Sequence, residues 1–288
     1  MSPYWQLLRP HQWIKNTACL AGVVFGGRLG EPLALQRAAL AFLTFSLAAS
    51  AVYVFNDIQD WPRDRLHPRK CRRPLPSGTV TVAQAWAMAV GLAGLAVGLA
   101  LGLGQGGFLC AGAYLLLNLA YSLRLKHMVL VDVHCIALGF VLRLLAGIYA
   151  LGDRPTGWIV LCTFFLALFL GLAKRRGELA QHPETAGQRP VLARYTLPFL
   201  DSALDNTAVM AVVSYALFSA HPAKNPSLVL TVPIVYYAIA HYKFLVTVEA
   251  GGEDPDRIWW QDPRIRYSVL LWLLAYLAID YGNLQLFR

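Results

Sequence analysis

Several oxygen-bearing side chains stand close together in the segment VFNDIQDWPRDRLHPRKCRRPLPSG. Asn56, Asp60 and Asp64 recur at intervals of four residues, so on a helix they share one stripe, with Asp57 beside it. Carboxylates this close repel one another unless a cation binds between them, and Mg²⁺ favours oxygen ligands from one or two carboxylates together with substrate phosphates. The spacing therefore predicts a magnesium site built from these four residues. The alternative is a solvated helix end whose acids balance the Arg and Lys residues that follow.

Pro62 lies inside this acidic segment. Proline removes a backbone donor and clashes with the preceding helical turn. We therefore expect the helix to bend or end near Asp60, which would leave Asp64 on a loop but still within reach of the ion.

Arg143 lies within a long apolar run, eleven residues beyond Asp132. At 1.5 Å per helical residue it is about 16 Å deeper than Asp132, close to the middle of a bilayer. A guanidinium at that depth needs a partner or water. It would either hold a substrate phosphate in a deep cavity or pair with another span, and the second role is favoured because no acid is predicted at that depth.

The elements that must position these residues are apolar helices. The chain has 288 residues, of which 57% are hydrophobic and 14% charged, far from the composition of an ordinary soluble domain. We predict an all-α, polytopic membrane protein, a single domain over 1–288 with a cavity that opens to the cytoplasm and sideways to lipid. About nine transmembrane helices are expected, near residues 14–30, 38–56, 83–103, 107–122, 130–150, 157–174, 203–220, 227–246 and 267–282. The first is the weakest, since Gly26, Gly27 and Arg28 interrupt it.

The charge distribution predicts the orientation. With a cytoplasmic N-terminus, most of the 25 Lys and Arg residues face the cytoplasm, as the positive-inside rule requires. Most acids lie on the same face, which indicates a cytoplasmic site. The formal net charge of +9 then reflects anionic lipids or phosphorylated substrates, and no nucleic-acid partner is expected because no basic soluble domain is present. The five cysteines lack metal-ligand spacing, which argues against structural zinc.

The sequence resembles the UbiA-type prenyltransferase superfamily, whose signature NDxxDxxxD is matched here by Asn56, Asp57, Asp60 and Asp64. It is most similar to the decaprenyl-phosphate phosphoribosyltransferase branch, through the segments RPHQWIKN, DRLHPRKCRRPLPSG, YSLRLKH and LGLAKRRGEL. Superfamily members that transfer prenyl groups typically carry a second acidic motif, DxxxD, after the sixth span. In this chain that place reads Lys174, Arg175, Arg176, Gly177 and Glu178.

The resemblance implies an integral enzyme of a bacterial-type plasma membrane. It implies Mg²⁺-dependent transfer of the 5-phosphoribosyl group from phosphoribosyl diphosphate to a polyprenyl phosphate lipid, with release of pyrophosphate, for cell-envelope glycan precursor synthesis. Asp57, Asp60 and Asp64 would be the catalytic residues, holding the metal with Asn56. The runner-up is a prenyltransferase that moves a polyprenyl group from its diphosphate to an aromatic or other acceptor. A transporter is disfavoured because the acids cluster at one membrane face.

Both expected substrates are anions, so basic and hydroxyl side chains should bind their phosphates. The candidates are Lys15, Lys70, Arg73, Tyr121, Lys126, Arg143, Lys174 and Arg175. A basic cytoplasmic loop is also the ordinary signal for orientation, and a tyrosine such as Tyr121 is common at the membrane interface, so both alternatives stay open. Small-residue faces also permit a homo-oligomer.

Overall fold

A computed structural model describes residues 2–66, 70–181, 191–249, 258 and 260–286. Within these ranges all regular secondary structure is helical. The α-helices are α1 (Pro3–Leu8), α2 (Ala21–Phe25), α3 (Pro32–Asp64), α4 (Val82–Ala100), α5 (Gly104–Leu123), α6 (Val131–Ala150), α7 (Gly157–Gln181), α8 (Leu197–Ser219), α9 (Val232–Thr247) and α10 (Pro263–Asp280). The predicted all-α class is confirmed.

Five helical segments of the described chain are long and apolar enough to cross a membrane. They are Pro32–Asp64, Val82–Leu123, Val131–Ala150, Gly157–Gln181 and Pro226–Thr247. The second contains both α4 and α5, which are separated by the 3₁₀ turn Leu101–Leu103, and Gly104 at the start of α5 has φ of 73°. That left-handed backbone suits glycine and breaks the helical run between α4 and α5. The exact count of nine spans stays a prediction.

The predicted first span, 14–30, takes a different form from the rest. Residues Pro10–Leu20 form a 3₁₀ helix, which the short α2 continues to Phe25. Runs of 3₁₀ helix this long are uncommon, because their hydrogen-bond geometry is poorer than that of an α-helix. Other contacts must therefore hold this N-terminal 3₁₀ segment in place.

Helix α3 continues through Pro62 and ends at Asp64, so the expectation that Asp64 lies on a loop is wrong. Pro62 lies in the last turn of the helix, where its missing N–H removes a single bond close to the end of the ladder. The bonding then resumes, since the Arg65 N–H donates to the Trp61 carbonyl at 3.2 Å. Asp64 therefore keeps the helical register of the acidic segment.

The chain forms two compact units. Unit 1 comprises Met1–Leu125 and Gly139–Pro155, and unit 2 comprises Lys126–Leu138 and Thr156–Arg288, so α6 contributes residues to both. In unit 1, small side chains allow helices to approach closely around Phe45 and Tyr114, among them Ala41 and Ala48 of α3. In unit 2, α7 lies along α8, and α9 contacts α10. The prediction of one domain over 1–288 is not tested by this division.

Candidate functional site

The acidic end of α3 carries two buried carboxylates that share one arginine. The same nitrogen of Arg73 lies 2.7 Å from Asp64 Oδ2 and 3.4 Å from Asp57 Oδ1. The two carboxylate oxygens are therefore no farther apart than the sum of these distances, although their residues stand seven positions apart on the helix. Lys70 adds a more distant contact, 3.8 Å from Asp64. A positive charge thus lies between the carboxylates, as their mutual repulsion requires.

The loop after α3 holds Arg73 in place through its own turns. The Arg73 N–H donates to Lys70 O at 3.0 Å, and Ser77 N donates back to Arg73 O at 2.9 Å. Leu75 and Val80 are buried in a cluster with Val54 of α3. The sequence RRPLPSG therefore folds back onto the helix that bears the acids.

Asn56 and Asp60 complete the acidic segment in different ways. The Oδ1 atom of Asn56 is, among the side-chain nitrogen and oxygen atoms of the described residues, the one that is buried without a hydrogen-bond partner. An amide oxygen in that condition is costly unless a ligand satisfies it. Asp60 is partly exposed and, with Asp64, acts on Asp57 through space.

This donor set fits magnesium. No group of three or more His, Cys, Asp or Glu side chains within the described ranges is arranged to hold a metal ion by itself. Magnesium does not need such a cage, because it binds through one or two carboxylates plus substrate phosphates and retains water. Asp57 and Asp64 could supply the carboxylates, and the unpartnered oxygen of Asn56 could serve as a further neutral ligand of the right type.

Arg9 belongs to this site and was missed as a site residue by the sequence reasoning. Its guanidinium pairs with Asp57 Oδ1 and lies 5.3 Å from the centre of the Tyr53 ring. Asp57 therefore contacts two arginines from different parts of the chain. The available signal was that Arg9 opens the segment RPHQWIKN, but nothing local to that segment points to Asp57.

Three further predicted residues of unit 1 lie on other elements than α3 and the loop that follows it. Lys15 is part of the N-terminal 3₁₀ segment and donates to Gln12 Oε1 at 2.5 Å. Tyr121 lies near the end of α5 and is half-buried. Arg143 is buried in α6 and donates to Asn16, Gly139 and Tyr114. Their proposed contacts with substrate stay predictions.

Unit 2 contains a second charged cluster, built around Asp132, which is fully buried. Arg175 Nε donates to Asp132 Oδ2 at 2.8 Å, and a second nitrogen of Arg175 donates to Glu178 at 3.0 Å. The Tyr195 hydroxyl donates to the other Asp132 oxygen at 2.9 Å and accepts from Leu130 N at 2.8 Å. Burial raises the pKa of Tyr195 to about 12, so the hydroxyl keeps the proton that it donates.

The remaining basic candidates of unit 2 are Lys126 and Lys174, which lie near Asp132 and Arg175 in the sequence. Lys126 lies on the 3₁₀ turn Leu125–His127 and Lys174 on α7, and both are half-buried. Arg176 contacts Asp201 at 3.0 Å and donates to the Val246 carbonyl at 2.7 Å. Adjacent basic residues on α7 thus have different surroundings.

Comparison with known proteins gives consistent results over most of the chain. Residues 17–260 match the UbiA prenyltransferase family. The chain is 32% identical over 285 residues to the decaprenyl-phosphate phosphoribosyltransferase of Corynebacterium glutamicum, covering 95% of this chain and 85% of that protein. It is also 32% identical over 282 residues to the protein of the same name from Mycobacterium tuberculosis, covering 96% and 93% respectively.

Among solved structures, the chain is similar to a UbiA homolog from Archaeoglobus fulgidus bound to GPP and Mg²⁺. The TM-score is 0.75 at 23% identity, over 96% of this chain and 99% of the other. At this identity the likeness establishes the membrane-embedded helical fold.

Proposed function

The chain belongs to the UbiA prenyltransferase family, and on that premise we propose that it transfers the 5-phosphoribosyl group of phosphoribosyl diphosphate to a polyprenyl phosphate. The identity to two decaprenyl-phosphate phosphoribosyltransferases over nearly its full length supports this choice within the family. Such a reaction would supply a lipid-linked sugar precursor for cell-envelope glycans.

One observation carries the choice of donor. Where a second acidic motif would bind a prenyl diphosphate, α7 bears Lys174, Arg175 and Arg176, and the nearby acid Glu178 is already paired with Arg175 at 3.0 Å. Among the described residues, the acids at this place are neutralised by Arg175, which leaves the acids at the end of α3 as the proposed site for a metal-bound diphosphate. This pattern suits a substrate pair with one metal-bound diphosphate and further phosphates held by basic side chains.

In the proposed reaction, an oxygen of the polyprenyl phosphate attacks C1 of the ribose. A C–O bond forms there while the bond from C1 to the diphosphate breaks, and the electron pair leaves with pyrophosphate. The acceptor phosphate is already ionised near neutral pH, so no general base is required. Asn56, Asp57, Asp60 and Asp64 would hold magnesium, whose chemistry here is to stabilise the negative charge on the departing diphosphate.

In this proposal, the basic side chains at the acidic cluster bind the phosphate oxygens of the diphosphate. Arg73 is 36% exposed and bridges Asp57 and Asp64, so phosphate oxygens can compete for it from solvent. Arg9 and Lys70 lie beside the same carboxylates. A guanidinium binds phosphate oxygens in pairs, which orients the diphosphate as well as attracting it.

We further propose that the site faces the cytoplasm and that the chain crosses the membrane about nine times. The distribution of Lys and Arg supports the orientation. Counting α4 and α5 separately supports the number, because their 19 and 20 residues each extend over about 30 Å, the thickness of the hydrocarbon core. A homo-oligomer is proposed as compatible with the small-residue helix faces.

The test is a reconstituted reaction. Purified protein with Mg²⁺, phosphoribosyl diphosphate and a polyprenyl phosphate should yield a ribosylated lipid and equimolar pyrophosphate, and Asp64→Asn should yield neither. A parallel reaction offers a polyprenyl diphosphate and an aromatic acceptor. Turnover in that reaction, with none in the first, would establish the prenyltransferase alternative and refute the proposal.

A further inference from the structure

The N-terminal 3₁₀ segment runs along one face of α3 in the opposite direction. The contacts fall at intervals of four, three and four residues on α3: Asn16 Nδ2 donates to Ser46 Oγ at 3.1 Å, Trp13 Nε1 donates to Ser50 Oγ at 3.0 Å, and Arg9 lies over Tyr53 and pairs with Asp57. Eleven α-helical residues and seven 3₁₀ residues span similar lengths, about 16 and 14 Å. The two elements therefore stay in register from Asn16 to Arg9.

The end of the segment farthest from the acids is fixed by a buried polar junction. Asn16 is fully buried, and its Oδ1 accepts from Arg143 Nε at 2.6 Å. The other two nitrogens of Arg143 donate to Gly139 O at 2.9 Å and to Tyr114 Oη at 2.8 Å. All three guanidinium nitrogens are thus engaged within the protein by neutral acceptors, and Asn16 connects α6 to Ser46 of α3.

The backbone of the segment also lies directly against the backbone of α6, at Gly147. A Cβ atom added at Gly147 would lie 1.9 Å from the Cys19 carbonyl oxygen and 2.7 Å from its carbon. Both are backbone atoms, so the segment would have to move to admit any larger residue. Gly147 is therefore required where the segment lies directly against α6.

The other end of the segment, at Arg9, is also held in a defined conformation. It adopts a left-handed backbone, with φ of 51° and ψ of 57°, which is unfavourable for a residue with a side chain. The Leu8 carbonyl just before it accepts from Ser50 Oγ at 2.8 Å. Contacts on both sides of Arg9 thus hold a conformation that aims its guanidinium at Asp57.

From these contacts we infer that the N-terminal 3₁₀ segment is a positioning element for the acidic cluster: Asn16, Arg143 and Gly147 fix its place, and Arg9 thereby meets Asp57. The inference rests on the proposed function for the identity of the substrate. Arg143 is then a positioning residue that acts through Asn16 and does not bind a substrate phosphate. Displacing the segment removes one of the two guanidinium groups at Asp57 and weakens the diphosphate site.

The decisive comparison is between two Gly→Ala variants. Gly147→Ala should raise KM for phosphoribosyl diphosphate about tenfold, equivalent to about 1.4 kcal/mol, with a smaller effect on kcat. Gly98→Ala on α4 is the matched control, since a Cβ there meets no atom within 4 Å, and it should leave both constants unchanged.

A double-mutant cycle separates positioning from a general loss of structure. Arg9→Gln should reproduce the increase in KM, and the combination with Gly147→Ala should be no worse than Arg9→Gln alone, because both changes act through one contact. Should Gly147→Ala fold poorly, Ser46→Ala takes its place in the cycle, since it removes the acceptor for Asn16 Nδ2 and otherwise only a bond within α3, from Ser46 Oγ to the Phe42 carbonyl. Additive effects in the cycle would overturn the inference.

Amide hydrogen exchange provides a readout that needs no substrate. In Gly147→Ala or Ser46→Ala, residues 10–20 should exchange faster than in the wild type, while α4 should be unchanged. Normal exchange in this segment would overturn the inference even if activity fell. If the wild-type protein fails to transfer phosphoribose, the proposed function falls alone, and the exchange experiment still decides whether these contacts hold the segment.

Discussion

Replacing Arg175 by methionine removes the cation from a buried charge cluster. The Arg175 side chain is 5% exposed and that of Asp132 is 0% exposed. Without Arg175, Asp132 keeps the hydrogen bond from the Tyr195 hydroxyl, which carries no charge and is a weak substitute for a guanidinium. The variant therefore leaves a carboxylate buried without its counter-charge.

The expected cost follows from that burial. Removing one partner of a buried ion pair destabilises a protein by about 3–5 kcal/mol. For a chain of this size, a loss of that magnitude lowers Tm by roughly 6–20 °C. Adding Asp132→Asn to Arg175→Met should restore part of the loss, because an asparagine oxygen still accepts from Tyr195 but carries no charge.

Lys174→Met is the matched control, since it removes a neighbouring cation that is half-buried. We expect little change in Tm and a higher KM for substrate, as its proposed phosphate contact requires. Thermal unfolding in detergent micelles and steady-state kinetics measure the two effects separately. If Arg175→Met kept the wild-type Tm but raised KM, the structural assignment would be refuted and Arg175 would be a substrate ligand.

Three shorter predictions concern the remaining charged groups. Asp60→Asn and Asp64→Asn should each abolish magnesium-dependent release of pyrophosphate; unchanged turnover in both would contradict the metal assignment. Arg73→Lys should raise KM for the diphosphate about tenfold, because an ammonium group lacks the planar fork that binds phosphate oxygens in pairs; wild-type kinetics would argue against a role of Arg73 in binding the diphosphate. Partial burial tends to raise the pKa of Asp262, but hydrogen bonds from Ile265 N and His241 lower it below its ordinary 3.8. The resulting stabilisation is present above pH 3.8 and is lost as pH falls through the lower folded-state value, so the Tm advantage over Asp262→Asn should disappear only below about pH 4; an advantage that persists in stronger acid would contradict it.

Local features of the fold were accessible from sequence because they depend on neighbouring residues. Charge-poor runs locate α4 to α7, and the spacing of Asn56, Asp60 and Asp64 predicts that they share one stripe of α3. Pro62 misled the reasoning because its effect depends on position within a helix, and near the end it disturbs little.

Long-range pairings were not accessible. Arg9 and Asp57 are 48 residues apart, and Arg143 and Asn16 are 127 apart, so no local pattern connects them. For Arg143, charge alone would predict an acidic partner, whereas its side-chain and backbone acceptors are neutral. An amide, a carbonyl and a phenol satisfy the guanidinium hydrogens without a counter-ion, and the rings of Tyr114 and Phe140 lie 4.6 and 5.3 Å from it.

Arg73 and Arg175 were both predicted from sequence to bind phosphate, but their side chains differ in burial. Arg73, with 36% of its side chain exposed, can leave its carboxylates for an incoming phosphate, because Arg9 and Lys70 remain beside Asp57 and Asp64. Arg175 cannot do so at similar cost, since its departure would strand Asp132 in an interior without solvent. A cation that exchanges partners is suited to binding and releasing a diphosphate, whereas one that cannot is suited to holding helices. The proposed diphosphate site therefore belongs at the end of α3, where the charges are exchangeable, and Arg175 and Asp132 give α7 its fixed contact with the start of α6.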